Sequence, residues 1–183
     1  MTAVWALGGF YLSLGPALAR NALDVHSSLI GAIMVATLTG FGAASVLTFR
    51  NLSGHTVMLI GTTTLILGVG ITLLGAEISS TVAIFTGTAI AGIGFGAGFQ
   101  CTILTVIPLA DNHQRASTVY VIAYLANSLP ALLAGYLVGK IGLVDTTRSY
   151  GALVMALAAV ARIGLLITGR RKDSAPSVAE PTF

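Results

Sequence analysis

Charge is what this chain has least of. Only 8% of its 183 residues are charged, where soluble domains carry about 25%. Carboxylates are the scarcer sign, with six in all: Asp24, Glu77, Asp111, Asp145, Asp173 and Glu180. Every one lies at the edge of an apolar run, between runs or in the tail. A proton-coupled step would need a titratable group at depth, and the runs hold no acid to supply it. Basic residues give a net charge of +3, but they are scattered and form no stripe, which argues against nucleic acid as a partner. Cysteine is nearly absent. The single Cys101 excludes an internal disulfide and reads as a small buried hydrophobe. His26, His55 and His113 lie in three separate polar stretches without metal-ligand spacing, so neither a metal nor any other cofactor is expected. No Lys or Arg precedes the first apolar run. A cleavable signal peptide is therefore not expected, although Ala17-Leu18-Ala19 resembles a cleavage site.

What the chain has in abundance is apolar length. Apolar residues make up 55% of it, and its mean hydropathy is +0.93. There are 22 glycines, a residue more frequent in transmembrane helices than in soluble ones. From Thr81 to Ala110 no charge appears, and about 20 apolar residues suffice to cross a bilayer as a helix. Similar runs occupy Thr2–Ala19, Ser27–Phe49, Thr56–Ala76, Ala116–Val138 and Tyr150–Thr168. The expected fold is all-α: an integral membrane bundle of six transmembrane helices over 1–169, with a polar, disordered cytoplasmic tail over 170–183. Gly15-Pro16 predicts a local break in the first span. A longer loop carrying Lys140, Asp145 and Arg148 is expected before the sixth. Six spans put both termini on one side. Arg50, Arg115, Arg170, Arg171 and Lys172 fall there, against Arg20, Lys140 and Arg148 on the other. The positive-inside rule then makes both termini cytoplasmic, in a multi-pass protein of the cell (inner) membrane.

Several motifs invite chemistry. Gly92-Ile-Gly94-Phe-Gly96-Ala97 matches the dinucleotide pattern G-x-G-x-x-A, but that motif needs a strand, a tight turn and a new helix. These glycines lie inside one long apolar run. Gly92 with Gly96, and Gly94 with Gly98, are four apart and make small-xxx-small packing faces. Ser53 and His55 suggest a hydrolase dyad, yet no third group orients them. An intramembrane hydrolase is the least favoured reading, and the chain is not expected to be an enzyme. Arg162 is the one charge well inside a span, where an arginine costs about 2.5–3.5 kcal/mol. Snorkelling toward the cytoplasmic headgroups is its expected escape. Tyr11, Thr37, Gln100, Tyr124 and Asn127 are uncharged polar residues within spans one, two, four and five. Polar groups at that depth bond across helices or line a cavity. Gln100 and Asn127 are the costliest to leave unpaired in lipid, which makes them the first candidates for a substrate cavity.

WALGGFYLSLGPALAR, GTAIAGIGFGAGFQ, PLADNHQRAS and YLANSLPALLAGYL together resemble the carboxyl-terminal half of a bacterial permease of the major facilitator superfamily, closest to its multidrug or sugar-efflux members. The resemblance covers nearly the whole chain. It implies two inverted three-helix repeats, with spans one, two, four and five facing a central cavity and spans three and six outside. It implies transport of a small solute by alternating access against a second six-helix half, either an identical copy or a separate first half. Gly9-Phe10 with Pro16-Ala17-Leu18-Ala19 faintly echoes Gly98-Phe99 with Pro108-Leu109-Ala110, as such a repeat would. In the loop TFRNLSGH, Arg50 matches the arginine of the family's loop motif, Phe49 replaces its aspartate and Gly54 is displaced. The alternative is a non-transporting membrane remnant or scaffold from a truncated permease gene.

Overall fold

The computed structural model describes residues 2–23, 28–106 and 113–173. These form seven helices and no strand: α1 (Thr2–Ser13), α2 (Gly15–Leu23), α3 (Ser28–Phe49), α4 (Gly54–Glu77), α5 (Thr81–Val106), α6 (His113–Ile141) and α7 (Leu143–Asp173). Helix is the only solution for such runs in lipid, because it satisfies every backbone group within the segment. The first apolar run breaks where Gly15-Pro16 predicts. Leu14 separates α1 from α2, and Pro16 offers no N–H to the Leu12 carbonyl. The ladder holds on either side, with Leu14 N donating to Phe10 O and Leu18 N to Leu14 O, each at 2.9 Å.

One expectation fails near the end of the chain. No long loop precedes the last helix; Gly142 alone separates α6 from α7. Its φ of +86° lies where only glycine goes without strain, so the chain reverses in one residue. Lys140 therefore sits in the last turn of α6 and Asp145 in the first turn of α7, each favourable to its helix dipole. The helix α7 also continues to Asp173, into the stretch expected to be a disordered tail. Residues 174–183 lie outside the described residues, as do the 107–112 segment with Pro108-Leu109-Ala110 and the 24–27 segment.

Glycines set the packing. α4 and α5 run antiparallel along one seam. A Cβ added at Gly75 would meet Ala83 and Ile84, one at Gly68 would lie 2.3 Å from Ala91 N, and one at Gly61 would meet Ala97. From the other side, Gly87 faces Thr72 and Gly94 faces Leu65. α4 and α7 are likewise antiparallel. Steps up α7 at Arg148, Gly151, Met155 and Arg162 meet steps down α4 at Glu77, Leu73, Gly70 and Thr63. α3 runs parallel to α5, with Gly92 on Leu38 and Gly96 on Gly42. α1 runs parallel to α6, with Trp5 beside Tyr124 and Gly8 beside Asn127. The centre is apolar, around Leu7, Phe10, Met34, Leu38, Val69 and Val154.

The outside is apolar too. Leu29, Val82 and Leu132 are 71%, 77% and 72% exposed, a surface that water would not tolerate over such an area. Three helical segments, Leu29–Phe49, Gly54–Glu77 and Thr81–Cys101, are long and apolar enough to cross a membrane. Length, composition and outward-facing leucines together make this a membrane protein.

Candidate functional site

The four clustered glycines of α5, from Gly92 to Gly98, divide among its neighbours. Gly92 and Gly96 are one face and lie against α3. Gly94 meets α4, whereas Gly98 meets Val4 of α1, so that second pair does not form a single seam. All four lie within one unbroken helix, which lacks the turn a dinucleotide motif requires. Close approach at Gly42 and Gly96 lets α3 and α5 meet, and a cleft opens beside the contact. Its volume is about 560 Å³, and it is lined by Thr39, Gly42, Ala43, Val46, Leu47, Phe95, Gly96, Phe99 and Gln100.

Aromatic rings extend the cleft wall from α5 onto α1 and α6. Phe95 and Phe99 stack at 6.3 Å between centroids. Trp5 of α1 meets Phe99 edge-on at 6.1 Å, and Tyr124 of α6 lies 6.4 Å from Trp5. Two polar atoms are buried in this neighbourhood without a hydrogen-bond partner among the described residues: Gln100 Oε1 and Trp5 Nε1. One is an acceptor and the other a donor. Leaving such groups unpaired costs about 1–3 kcal/mol each. The remaining hydroxyls on α3 are spent locally. Thr37 Oγ1 donates to Ile33 O at 2.8 Å and Thr39 Oγ1 to Val35 O at 2.9 Å.

The five polar residues singled out in the sequence fall in different places. Gln100 is buried and lines the cleft. Tyr124 is largely exposed and joins the cleft's aromatic wall through Trp5. Asn127, half-buried one turn along α6, packs on α1, where a Cβ at Gly9 would lie 2.5 Å from its carbonyl oxygen. Thr37 borders a separate shallow depression with Ile33, Gly40 and Phe41. Tyr11 is in the core instead. It is 1% exposed, and its hydroxyl bonds Thr72 Oγ1 of α4 at 2.7 Å. Trp5, Phe95, Phe99 and Thr39 are the residues that sequence reasoning did not name for the site. Trp5, as the sole tryptophan and an N–H donor within an apolar run, was the signal that could have found them.

Other candidate groups have structural partners. Ser53 caps α4, its Oγ accepting from Thr56 N at 3.3 Å and lying 2.9 Å from Thr56 Oγ1. Such a cap satisfies an otherwise orphaned helix N–H. Cys101 is buried, with its thiol 3.5 Å from Gly54 O. Among the described residues no cluster of His, Cys, Asp and Glu could hold a metal ion. At the far end of α4, Arg148 Nε donates to Glu77 Oε1 at 2.8 Å, and Asp145 lies 3.7 Å away. The hydrogen bond and charge of Glu77, then the charge of Asp145, push the Arg148 guanidinium further up from its ordinary value. Comparison with protein-family profiles, curated proteins and solved structures finds no match.

Proposed function

We propose that this chain forms a six-span transmembrane bundle that carries a small uncharged aromatic solute, as one half of a permease of the major facilitator type. The observation that carries the reading is the α3–α5 cleft. It offers stacking surface and, in Gln100 Oε1, an acceptor with no hydrogen-bond partner among the described residues, and its lining contains no charged side chain. Solute sites combine an apolar wall with a few placed polar groups in this way.

Helix order supports the transport reading. α1 and α2 together make span one, and α3 to α7 make spans two to six. Neighbouring senses alternate as six crossings require. The parallel pairs α1–α6 and α3–α5 are spans one and five and spans two and four. Exchanging the first three spans with the last three turns one pair into the other, as inverted three-helix repeats would. The cleft faces outward from the bundle, with Leu47 and Tyr124 exposed around it. A second six-helix bundle would close it, and alternating access follows when two bundles rock about such a site.

The test is flux. Cells producing this chain should accumulate less N-phenyl-1-naphthylamine, a neutral aromatic amine, than matched controls. Gln100→Ala should remove the difference at equal membrane abundance. Equal accumulation with and without the chain, also when a candidate first half is produced with it, would contradict transport and favour a membrane scaffold.

A further inference from the structure

The hollow beside α3 does not end with the cleft. A second groove, of about 530 Å³, starts at Thr39 and runs back along α3 to Gly31, with Pro16 and Arg20 of α2 beside it. Thr39 lines both hollows. Helix geometry puts them on one face. At about 100° per residue, Ala32, Val35 and Ala36 of the groove fall within about 60° of Thr39 around the helix. Gly42, Ala43 and Val46 of the cleft do the same. One trough therefore follows α3 from Gly31 to Leu47, about 24 Å at 1.5 Å per residue.

The two flanks of the trough differ. On one, Pro16 lies against Gly31 and Gly96 against Gly42, so closely that an added Cβ would collide. There α2 and then α5 form a wall. On the other flank Ala32, Ala36 and Ala43 are exposed, and the trough stays open. The segment Leu29–Phe49 is long enough to cross a membrane, and Thr39 is ten residues from either end of it. The groove thus occupies one half of the span and the cleft the other. Arg20 marks the groove's far end, in the last turn of α2. Its Nε donates to Pro16 O at 3.2 Å, which holds the guanidinium beside the groove. No other charged side chain lines either hollow.

We infer that this groove is a second subsite for the aromatic solute of the cleft, entered at Arg20 and joined to the cleft across Thr39. Continuity with the cleft and the chemistry of the mouth decide the occupant. A guanidinium plane stacks on aromatic faces, and Gly31, Ala32 and Ala36 keep the floor low enough for a flat ring to lie on it. The inference rests on the solute reading of the cleft and adds a route to it: the solute moves along one face of α3, between two hollows in line.

Photolabelling of the whole chain in lipid vesicles tests it. The probe is 1-azidonaphthalene, a neutral aromatic azide, and N-phenyl-1-naphthylamine is the competitor. Mass spectrometry should find adducts in residues 31–36 and in residues 42–47, both reduced by saturating competitor. Residues 59–64 of α4, which border a separate open groove, give the lipid background and should not respond. Competed adducts confined to residues 42–47 would overturn the second subsite and leave the cleft standing. Adducts that the competitor reduces nowhere would contradict the solute reading, and the second subsite with it. Arg20→Gln removes the stacking cation at an exposed position. It should lower the competed labelling of residues 31–36 by about twofold to fivefold, the worth of an exposed cation–π contact, and leave residues 42–47 unchanged. Equal labelling of residues 31–36 in Arg20→Gln would overturn the entry at Arg20.

Discussion

Tyr11 and Gln100 show how differently two polar side chains can be spent inside an apolar bundle. Tyr11 gives its hydroxyl to Thr72 and ties α1 to α4. Gln100 keeps Oε1 buried beside an open cleft, with no hydrogen-bond partner among the described residues. Replacing Tyr11 with Phe removes one hydrogen bond and leaves Thr72 its bond to Gly68 O at 2.9 Å. The expected cost is about 0.5–1.5 kcal/mol of stability, with solute binding unchanged. Denaturant unfolding in micelles measures the first, and a titration of the cleft the second. A stable Tyr11→Phe protein that has lost binding would move Tyr11 into the site. Both stand out in the sequence as polar residues within apolar runs. It could not say which face each occupies. Trp5 and Tyr11 are six residues apart, about 120° around a helix at 3.6 residues per turn. One therefore looks into the cleft wall and the other into the core. Without knowing the neighbours of α1, that rotation has no meaning.

Among the elements, α4 and α5 are held most closely. Gly61, Gly68 and Gly75 recur every seven residues on α4, and Gly87 and Gly94 do so on α5. Helices in lipid gain cohesion from such close backbone approach. A methyl at Gly68 would sit 2.3 Å from Ala91 N, a backbone atom that cannot swing aside, whereas one at Gly70 would meet only Met155 Sδ at 4.0 Å. Gly68→Ala should therefore destabilise by about 1–3 kcal/mol as overpacking. Gly70→Ala should be neutral or slightly stabilising, since Ala is the better helix former by about 1 kcal/mol. Thermal unfolding of the two variants in the same detergent compares them, and equal stability would contradict the seam. The positions of the helices were legible in the apolar runs, because run length and helix rise are fixed by the bilayer. The α6–α7 junction was not. Lys140, Asp145 and Arg148 look like a loop when read in line, but they belong to helix ends where their charges are favourable. The turn between them needs only Gly142.

At the scale of the whole molecule, four helices build one wall. α3 and α5 flank the cleft, while α1 and α6 add Trp5 and Tyr124 beside it. α4 and α7 pack together behind α5 and α1, through the glycine seam and through Tyr150, whose hydroxyl donates to Ala6 O at 3.0 Å. Gln100 and Tyr124, both polar residues within apolar runs, are the sequence candidates that lie at or beside this wall. The cleft itself could not be read from the sequence, because it arises where Gly42 and Gly96 let two backbones touch while larger neighbours stand apart. Its one tryptophan supplies the most direct measurement. Trp5 is the only tryptophan in the chain, and its ring lies against Phe99 of the cleft wall, so its emission reports on that neighbourhood. Titrating N-phenyl-1-naphthylamine into the protein in lipid vesicles should quench Trp5 along a saturating curve. Gln100→Ala should raise the midpoint about fivefold to tenfold, the worth of one hydrogen bond of about 1–1.4 kcal/mol. Quenching that rises linearly without saturation, and equally in Gln100→Ala, would mean simple partitioning into the bilayer and would contradict a solute site in the cleft.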